Sequence, residues 1–221
     1  MSIDTASLLP AQMPGVIPVF PLAGALLLPR GQLPLNIFEP RYLAMIDDIL
    51  KSNRIIGLIQ PAAEASESAP PALLSVGCAG RLTQFAETGD GRYLITLTGI
   101  ARFRIVEEIA ASTPYRQCRI AFADFEADFT PRAGEEAVDR DSVLATLRQF
   151  ADANDLKIDW QSIREAPNEA LVNALSMMSP YGPREKQALL EAPNLQRRAE
   201  VLVAITEVEL ARGKRGAAPL Q

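Results

Sequence analysis

The period of the hydrophobic pattern changes once along this chain, near Pro131, and that change constrains the fold more than any other feature. Before it, apolar residues alternate with polar ones or come in short runs, as in β-strands; after it they recur every three or four residues, as in helices. Residues 16–20, 25–28 and 33–38 are apolar runs bounded by Pro or Gly and read as strands. A proline within or beside each run points to sheet edges or bends rather than central ladders. Tyr42, Leu43, Met45, Ile46, Ile49 and Leu50 then take helical spacing, with Pro40 in the first turn and Asn53 at the end. Residues 54–59 form a further strand, and the Ala-, Ser-, Glu- and Pro-rich stretch 61–71 is an exposed loop. Residues 73–87 and 92–108 flank Thr88-Gly89-Asp90-Gly91, a hairpin signal, and residues 115–125 alternate as one more half-buried strand.

Beyond Pro131, residues 135–153 carry Val138, Leu144, Leu147 and Phe150 on one helical face. Leu171, Ala174, Leu175 and Met178 do the same in 168–178, with Asn168 as N-cap. Residues 183–190 and 194–210 complete the helical group, the latter aligning Leu195, Ala199, Leu202 and Ile205. Strands first and helices after predict an α+β chain. The expected division is a loose tail over 1–13, a β-rich part over 14–130, a helical part over 131–212 and a second tail over 213–221.

Composition excludes much chemistry. The chain has no histidine, which removes Ser-His-Asp and Cys-His catalysis and the usual zinc-hydrolase ligands. Its two cysteines, Cys78 and Cys118, are too few for a closed zinc site and read as buried thiols. Net charge is −5, with 10 basic and 13 acidic residues in 1–130 and 12 and 14 in 131–221. Neither part has the basic excess of a phosphate-backbone binder. The apolar stretch 16–29 is interrupted by Pro18, Pro21 and Gly24, so neither a membrane span nor a signal peptide is expected, and the protein reads as cytoplasmic. There is no phosphate-binding Gly-x-x-x-x-Gly-Lys-Ser/Thr loop.

Acidic pairs at Asp47-Asp48, Glu107-Glu108 and Glu135-Glu136 diverge from one another on a helix or strand and read as solvated faces. A Ser179–Lys186 dyad lacks the apolar setting that lowers a lysine pKa, because Lys186 falls in a charged first turn facing solvent. Glu39 and Arg41 form a charge pair at a strand-to-helix junction, with the chemistry to bind a ligand amine or carboxylate; the reading preferred is structural, Glu39 accepting backbone or Arg hydrogen bonds and Arg41 covering the helix start. Trp160 and Tyr181 read as core or interface anchors. No catalytic residue, metal ligand or cofactor is assigned.

Phe20-Pro21-Leu22, the run Leu26 to Pro29, and Leu33-Pro34-Leu35-Asn36-Ile37-Phe38-Glu39-Pro40-Arg41-Tyr42 together resemble the opening of the N-terminal substrate-binding domain of Lon proteases. Asn36 stands where that family often has His. Downstream, residues 185–191 and Leu195-Gln196-Arg197-Arg198 are similar to the helical region that closes the same domain. The chain stops at Gln221, so the resemblance implies a stand-alone substrate-binding-domain protein without ATPase or Ser–Lys peptidase modules. It further implies a PUA-like β-barrel or folded sheet with one inserted helix, followed by an α-helical bundle. The function expected is non-catalytic binding of unfolded polypeptide or a partner protein, as in a quality-control adaptor of a bacterial cytoplasm. Phe20, Leu28, Leu35 and Phe38 are the candidate peptide-binding residues, and Glu39, Pro40, Arg41 and Tyr42 a structural motif. The alternatives are a minimal hydrolase, or RNA binding on a face carrying Arg102, Arg104, Arg116 and Arg119.

Overall fold

A computed structural model describes residues 9–62, 71–155 and 157–216. Strands β1 (Val16–Pro21), β2 (Gln32–Ile37), β3 (Ile55–Pro61), β4 (Leu73–Glu87), β5 (Tyr93–Ile109) and β6 (Gln117–Ala121) form one sheet, with helix α1 (Pro40–Leu50) between β2 and β3. β1 runs parallel to β3 and antiparallel to β6; β3–β4, β4–β5 and β5–β6 are antiparallel. These pairings close β1, β3, β4, β5 and β6 into a ring. β5 is long enough to serve twice. Its second half pairs with β6 to close the ring, and its first half, Tyr93 to Thr98, pairs with β2. The α+β class expected from the pattern is observed, as is the barrel-like sheet with one inserted helix and helices after it that the resemblance implied.

Phe103 fills the ring. It is fully buried with Ile17, Val19, Ile59, Ala79 and Cys118. Space for its ring comes from two glycines: a Cβ at Gly77 or Gly57 would stand 2.5 or 2.8 Å from Phe103 Cζ. Outside the ring a second core gathers α1, the 26–28 segment and the helices α2 (Arg140–Ala153), α4 (Asn168–Met178), α5 (Pro183–Glu191) and α6 (Leu195–Gly216).

Several local expectations change. Residues 25–28 are not a strand. Leu26, Leu27 and Leu28 are all buried in the outer core, which a strand's alternation could not achieve for three consecutive residues. The segment instead crosses β5 at Gly99, where a Cβ would lie 2.0 Å from Leu28 O, and Arg30 N and Gly99 O bond at 2.8 Å. The strand expected over 115–125 stops at Ala121 and gives way to a 3-10 segment, Ala123–Phe129, which buries Phe125 and Asp128. The helix expected from residue 135 begins at Arg140, capped by Asp139, whose carboxylate accepts from Ser142 N at 3.0 Å. Asn168 is not the N-cap of α4 but its first residue, and its side chain binds Glu135 O and Arg140. A short helix α3 (Trp160–Glu165), capped by Asp159, had no expected counterpart, and Trp160 is half-buried beneath Arg148. The face assigned to 168–178 is rotated: Leu171 and Val172 are buried, whereas Met178 is 82% exposed. The expected terminal tails lie outside the described residues over 1–8 and 217–221, as does most of the expected loop, over 63–70.

The fit of Phe103 between two glycines can be tested by denaturant unfolding. Gly57→Ala, whose Cβ would meet only side chains and above all the Phe103 ring, should destabilise by about 1–3 kcal/mol through overpacking. In a Phe103→Leu background, itself weakened, the same substitution should cost clearly less; equal costs would show that the two side chains do not compete for space.

Candidate functional site

The surface is built from the alternation of β5. Odd-numbered Tyr93, Ile95 and Leu97 face inward, and Tyr93 Oη donates to Asp47 of α1 at 3.0 Å. Even-numbered residues face out. Register places Leu94 between Asn36 and Ala86, and Thr96 between Pro34 and Gln84. The result is a shallow groove of about 440 Å³ lined by Pro34, Asn36, Ala86, Leu94 and the edge of Phe85. Leu94 is 48% exposed, and Phe38, just past the end of β2, is 61% exposed. Arg92 stands 6.0 Å from the Phe38 ring. On its other side β2 pairs with no strand among the described residues, so one backbone edge is free. Pro34 sits mid-strand on that edge, as a proline in a sheet must. At the start of β2 a second cleft of about 380 Å³ opens between Pro29–Gln32 and α4, with Met177 and the exposed Met178 on its wall and the Arg30–Glu169 ion pair across it.

The four candidate peptide-binding residues separate. Phe20 and Leu28 are buried and offer a partner no surface; Phe20 stacks edge-on against Tyr42 at 4.3 Å. Leu35 is half-buried on the inward face, and Phe38 alone stands fully at the surface. Glu39 precedes α1 without a side-chain cap and instead pairs with Arg41 at 2.9 Å, while Arg41 lies over the Tyr42 ring at 4.5 Å. The pair is exposed and contributes little to stability. Leu94, Phe85 and Met178 were not anticipated. Leu94 was legible as an apolar residue on the polar side of an alternating strand; Phe85 and Met178 required the register and the rotation of α4.

The alternative chemistries find different surroundings from those they need. Lys186 does not face solvent as expected. It is half-buried, donates to Met177 O at 3.3 Å, and desolvation lowers its pKa. No hydrogen bond joins it to Ser179 among the described residues. The four arginines of the RNA alternative do not make a free basic face. Arg104, Arg116 and Arg119 pair with Asp124, Glu108 and Glu107. Arg102 is buried, bidentate on Asp128 at 2.8 Å through both Nε and Nη2, and donates to Leu190 O at the end of α5. Of the Asp47-Asp48 pair, Asp48 is exposed and Asp47 half-buried, and each also accepts from a tyrosine: Tyr93 Oη donates to Asp47, and Tyr115 Oη to Asp48 at 2.7 Å. Burial first, then that bond, pushes the Tyr115 phenol up to about 12. Cys78 and Cys118 are buried free thiols, as expected.

A closed barrel bearing helices, with an open apolar groove and a free strand edge on its surface, defines an α+β domain of the kind that presents surface to another molecule. The chain belongs to the family of ATP-dependent protease La (LON) substrate-binding domains, whose family model matches residues 16–207. It is 25% identical over 203 residues to Lon protease 2 of Myxococcus xanthus, covering 87% of this chain and 24% of that protein. It is 31% identical over 109 residues to the Lon protease of Anaeromyxobacter dehalogenans, covering 49% and 13%. The chain thus spans about a quarter or less of these relatives. Its fold resembles the Lon N-terminal domain protein of Xanthomonas campestris, with TM-score 0.57 and 21% identity over 86% of this chain and 97% of that one. The N-terminal domain of the Mycobacterium avium complex Lon protease matches with TM-score 0.57 and 18% identity over 87% and 98%. The match is to the substrate-binding domain alone.

These polar contacts predict the behaviour of three variants. Asp128→Asn should destabilise by about 3–5 kcal/mol in urea unfolding, because Arg102 stays buried without its counter-charge. Asp124→Asn, at an exposed pair, should cost under about 1 kcal/mol. Tyr115 has a folded pKa raised from 10.0 to about 12, so its contribution is whole below pH 10 and is lost as pH rises towards 12. Stability against pH should therefore fall less steeply between those values in Tyr115→Phe than in the wild type.

Proposed function

We propose that this chain is a non-catalytic, cytoplasmic module that captures extended apolar segments of unfolded polypeptide along β2 and delivers them to an ATP-dependent protease. The observation that carries the reading is the free edge of β2 lying beside an apolar groove, with Phe38 exposed at one end and Met178 at the other. A free edge offers backbone donors and acceptors to any sequence, and alternate side chains of an added strand meet the groove. Pro34 withholds one donor in mid-edge, which weakens continuous strand pairing and discourages self-association through the same edge. Methionine adapts to varied partners, which suits a surface that must accept many sequences. Membership of a substrate-binding family supports the same reading, and among the described residues no helix is long and apolar enough to cross a membrane.

The test is fluorescence anisotropy with a labelled, permanently unfolded polypeptide. The wild type should bind at micromolar concentrations, and Phe38→Ser/Leu94→Ser should bind at least ~10-fold more weakly, the loss of one apolar anchor's worth of affinity. Both positions are exposed, so the variant's unfolding midpoint should stay close to that of the wild type. Unchanged affinity in the variant would remove the groove from the site, and no binding by the wild type would remove the function.

A further inference from the structure

The free edge of β2 has a hydrogen-bonding register of its own, fixed by the ladder on its other side. Gly99 N donates to Gly31 O at 2.8 Å, and the pairing continues with Gln32 opposite Thr98 and Ile37 opposite Tyr93. Bonded and non-bonded pairs alternate in an antiparallel ladder. Residues 33, 35 and 37 therefore spend their backbone groups on β5, and residues 32, 34 and 36 turn theirs to the free side. Pro34, which has no N–H, falls on the free side, as a proline in a ladder must. The edge thus offers the carbonyls of Gln32, Pro34 and Asn36 as acceptors, but only the amides of Gln32 and Asn36 as donors. None of these groups is taken by another strand or loop among the described residues.

Side chains follow the same alternation. Gln32, Pro34 and Asn36 are exposed and share the outer face with Thr96 and Leu94, where the groove lies. Directly opposed residues of an antiparallel pair also share a face. A strand added antiparallel to β2 therefore uses one set of alternate residues, i, i+2 and i+4, both to bond the edge and to reach the groove. The residues between do neither. The groove wall carries no charged residue, in a chain of which 22% is charged, so a charged side chain there would lose water without gaining a counter-charge. A second copy of this chain fits less well. β2 paired with β2 brings in Pro34 twice and lacks two donors, whereas a foreign strand meets one gap.

On the footing that β2 captures extended polypeptide, we propose that its edge selects a substrate class: segments with the period of a β-strand, whose residues i, i+2 and i+4 are apolar and each carry an N–H. Proline is excluded at those three positions and tolerated at i+1 and i+3. Segments with helical spacing of apolar residues are passed over, because in extended form they divide those residues between two faces.

The experiment is fluorescence anisotropy of the full chain with short labelled peptides, capped at both ends, that carry three leucines at alternate positions among serines and threonines. N-methylation of the central leucine should weaken binding at least ~10-fold, because it removes a bond to the edge, and N-methylation of the residue beside it should change affinity less than ~2-fold. The same composition with leucines at helical spacing should bind at least ~10-fold more weakly. Pro34→Ala, at an exposed position, supplies the missing donor and should tighten binding of the parent peptide about 2- to 10-fold. Equal effects of the two N-methyl groups, equal binding of the two leucine patterns, or unchanged affinity in Pro34→Ala would each overturn the proposal. A permanently unfolded polypeptide is the control. If it is bound and the parent peptide is not, the selection falls and capture stands; if neither is bound, capture falls as well.

Discussion

The ion pair of Arg102 with Asp128 is the interaction on which the arrangement of this molecule depends. Strand alternation sends Phe103 into the barrel and its neighbour Arg102 out beneath the helices. The guanidinium then meets Asp128 from the 3-10 segment after β6 and the carbonyls of Leu190 and Ala192 at the end of α5. Those carbonyls belong to a helix terminus and have no partner within the helix, so a cation there answers a need the backbone creates. The Phe125 ring covers the guanidinium at 4.5 Å. An apolar pair of equal volume would hold the two parts together about as well. What the polar cluster adds is direction, since five donors in a fixed fork accept only one placement of α5 on β5.

That placement decides what remains open. With β6 on the second half of β5 and the helices over Arg102, the first half of β5 is left for β2, and β2 has no further strand neighbour among the described residues. The free edge is therefore a consequence of a seventeen-residue strand serving a ring that needs only part of its length. α1 fixes this overhang from the inner side through the Tyr93–Asp47 bond and the burial of Met45, Ile46 and Ile49. The groove thus stands on a supported sheet, although it lies outside the closed barrel. A supported surface leaves less ordering to occur when another molecule binds it.

Fold class was legible in the change of hydrophobic period, and the hairpin was legible in Thr88-Gly89-Asp90-Gly91, whose Gly89 and Gly91 take positive φ. The 25–28 segment was not. Three consecutive leucines look like a buried strand, and only the approach of Leu28 to Gly99, 71 residues away in sequence, makes them a crossing segment. The site was half legible for a related reason. Phe20, Leu28 and Phe38 are equally apolar in sequence, and burial, which depends on all their neighbours at once, divides them. Arg102 gave no local sign of its role, since its carboxylate lies 26 residues on and its carbonyl acceptors 88 and 90 residues on.

The charges of this chain separate by function in a way its net charge conceals. Arginines on the barrel surface are paired with carboxylates on the neighbouring strand or on the segment after β6, as Arg119 is with Glu107, Arg116 with Glu108 and Arg104 with Asp124. Such pairs cancel the field that would draw a polyanion and leave the sheet surface to its apolar residues. The buried arginines behave differently. Arg102 and Arg198 spend their donors on the ends of helices and on Asn173, which in turn donates to Pro29 O, so the polar network runs from the 26–29 crossing segment to α6. Displacing α6 would uncover charge, whereas the edge of β2 carries apolar side chains and backbone. The buried network therefore ties the helices to the barrel, and the edge of β2 lies outside it.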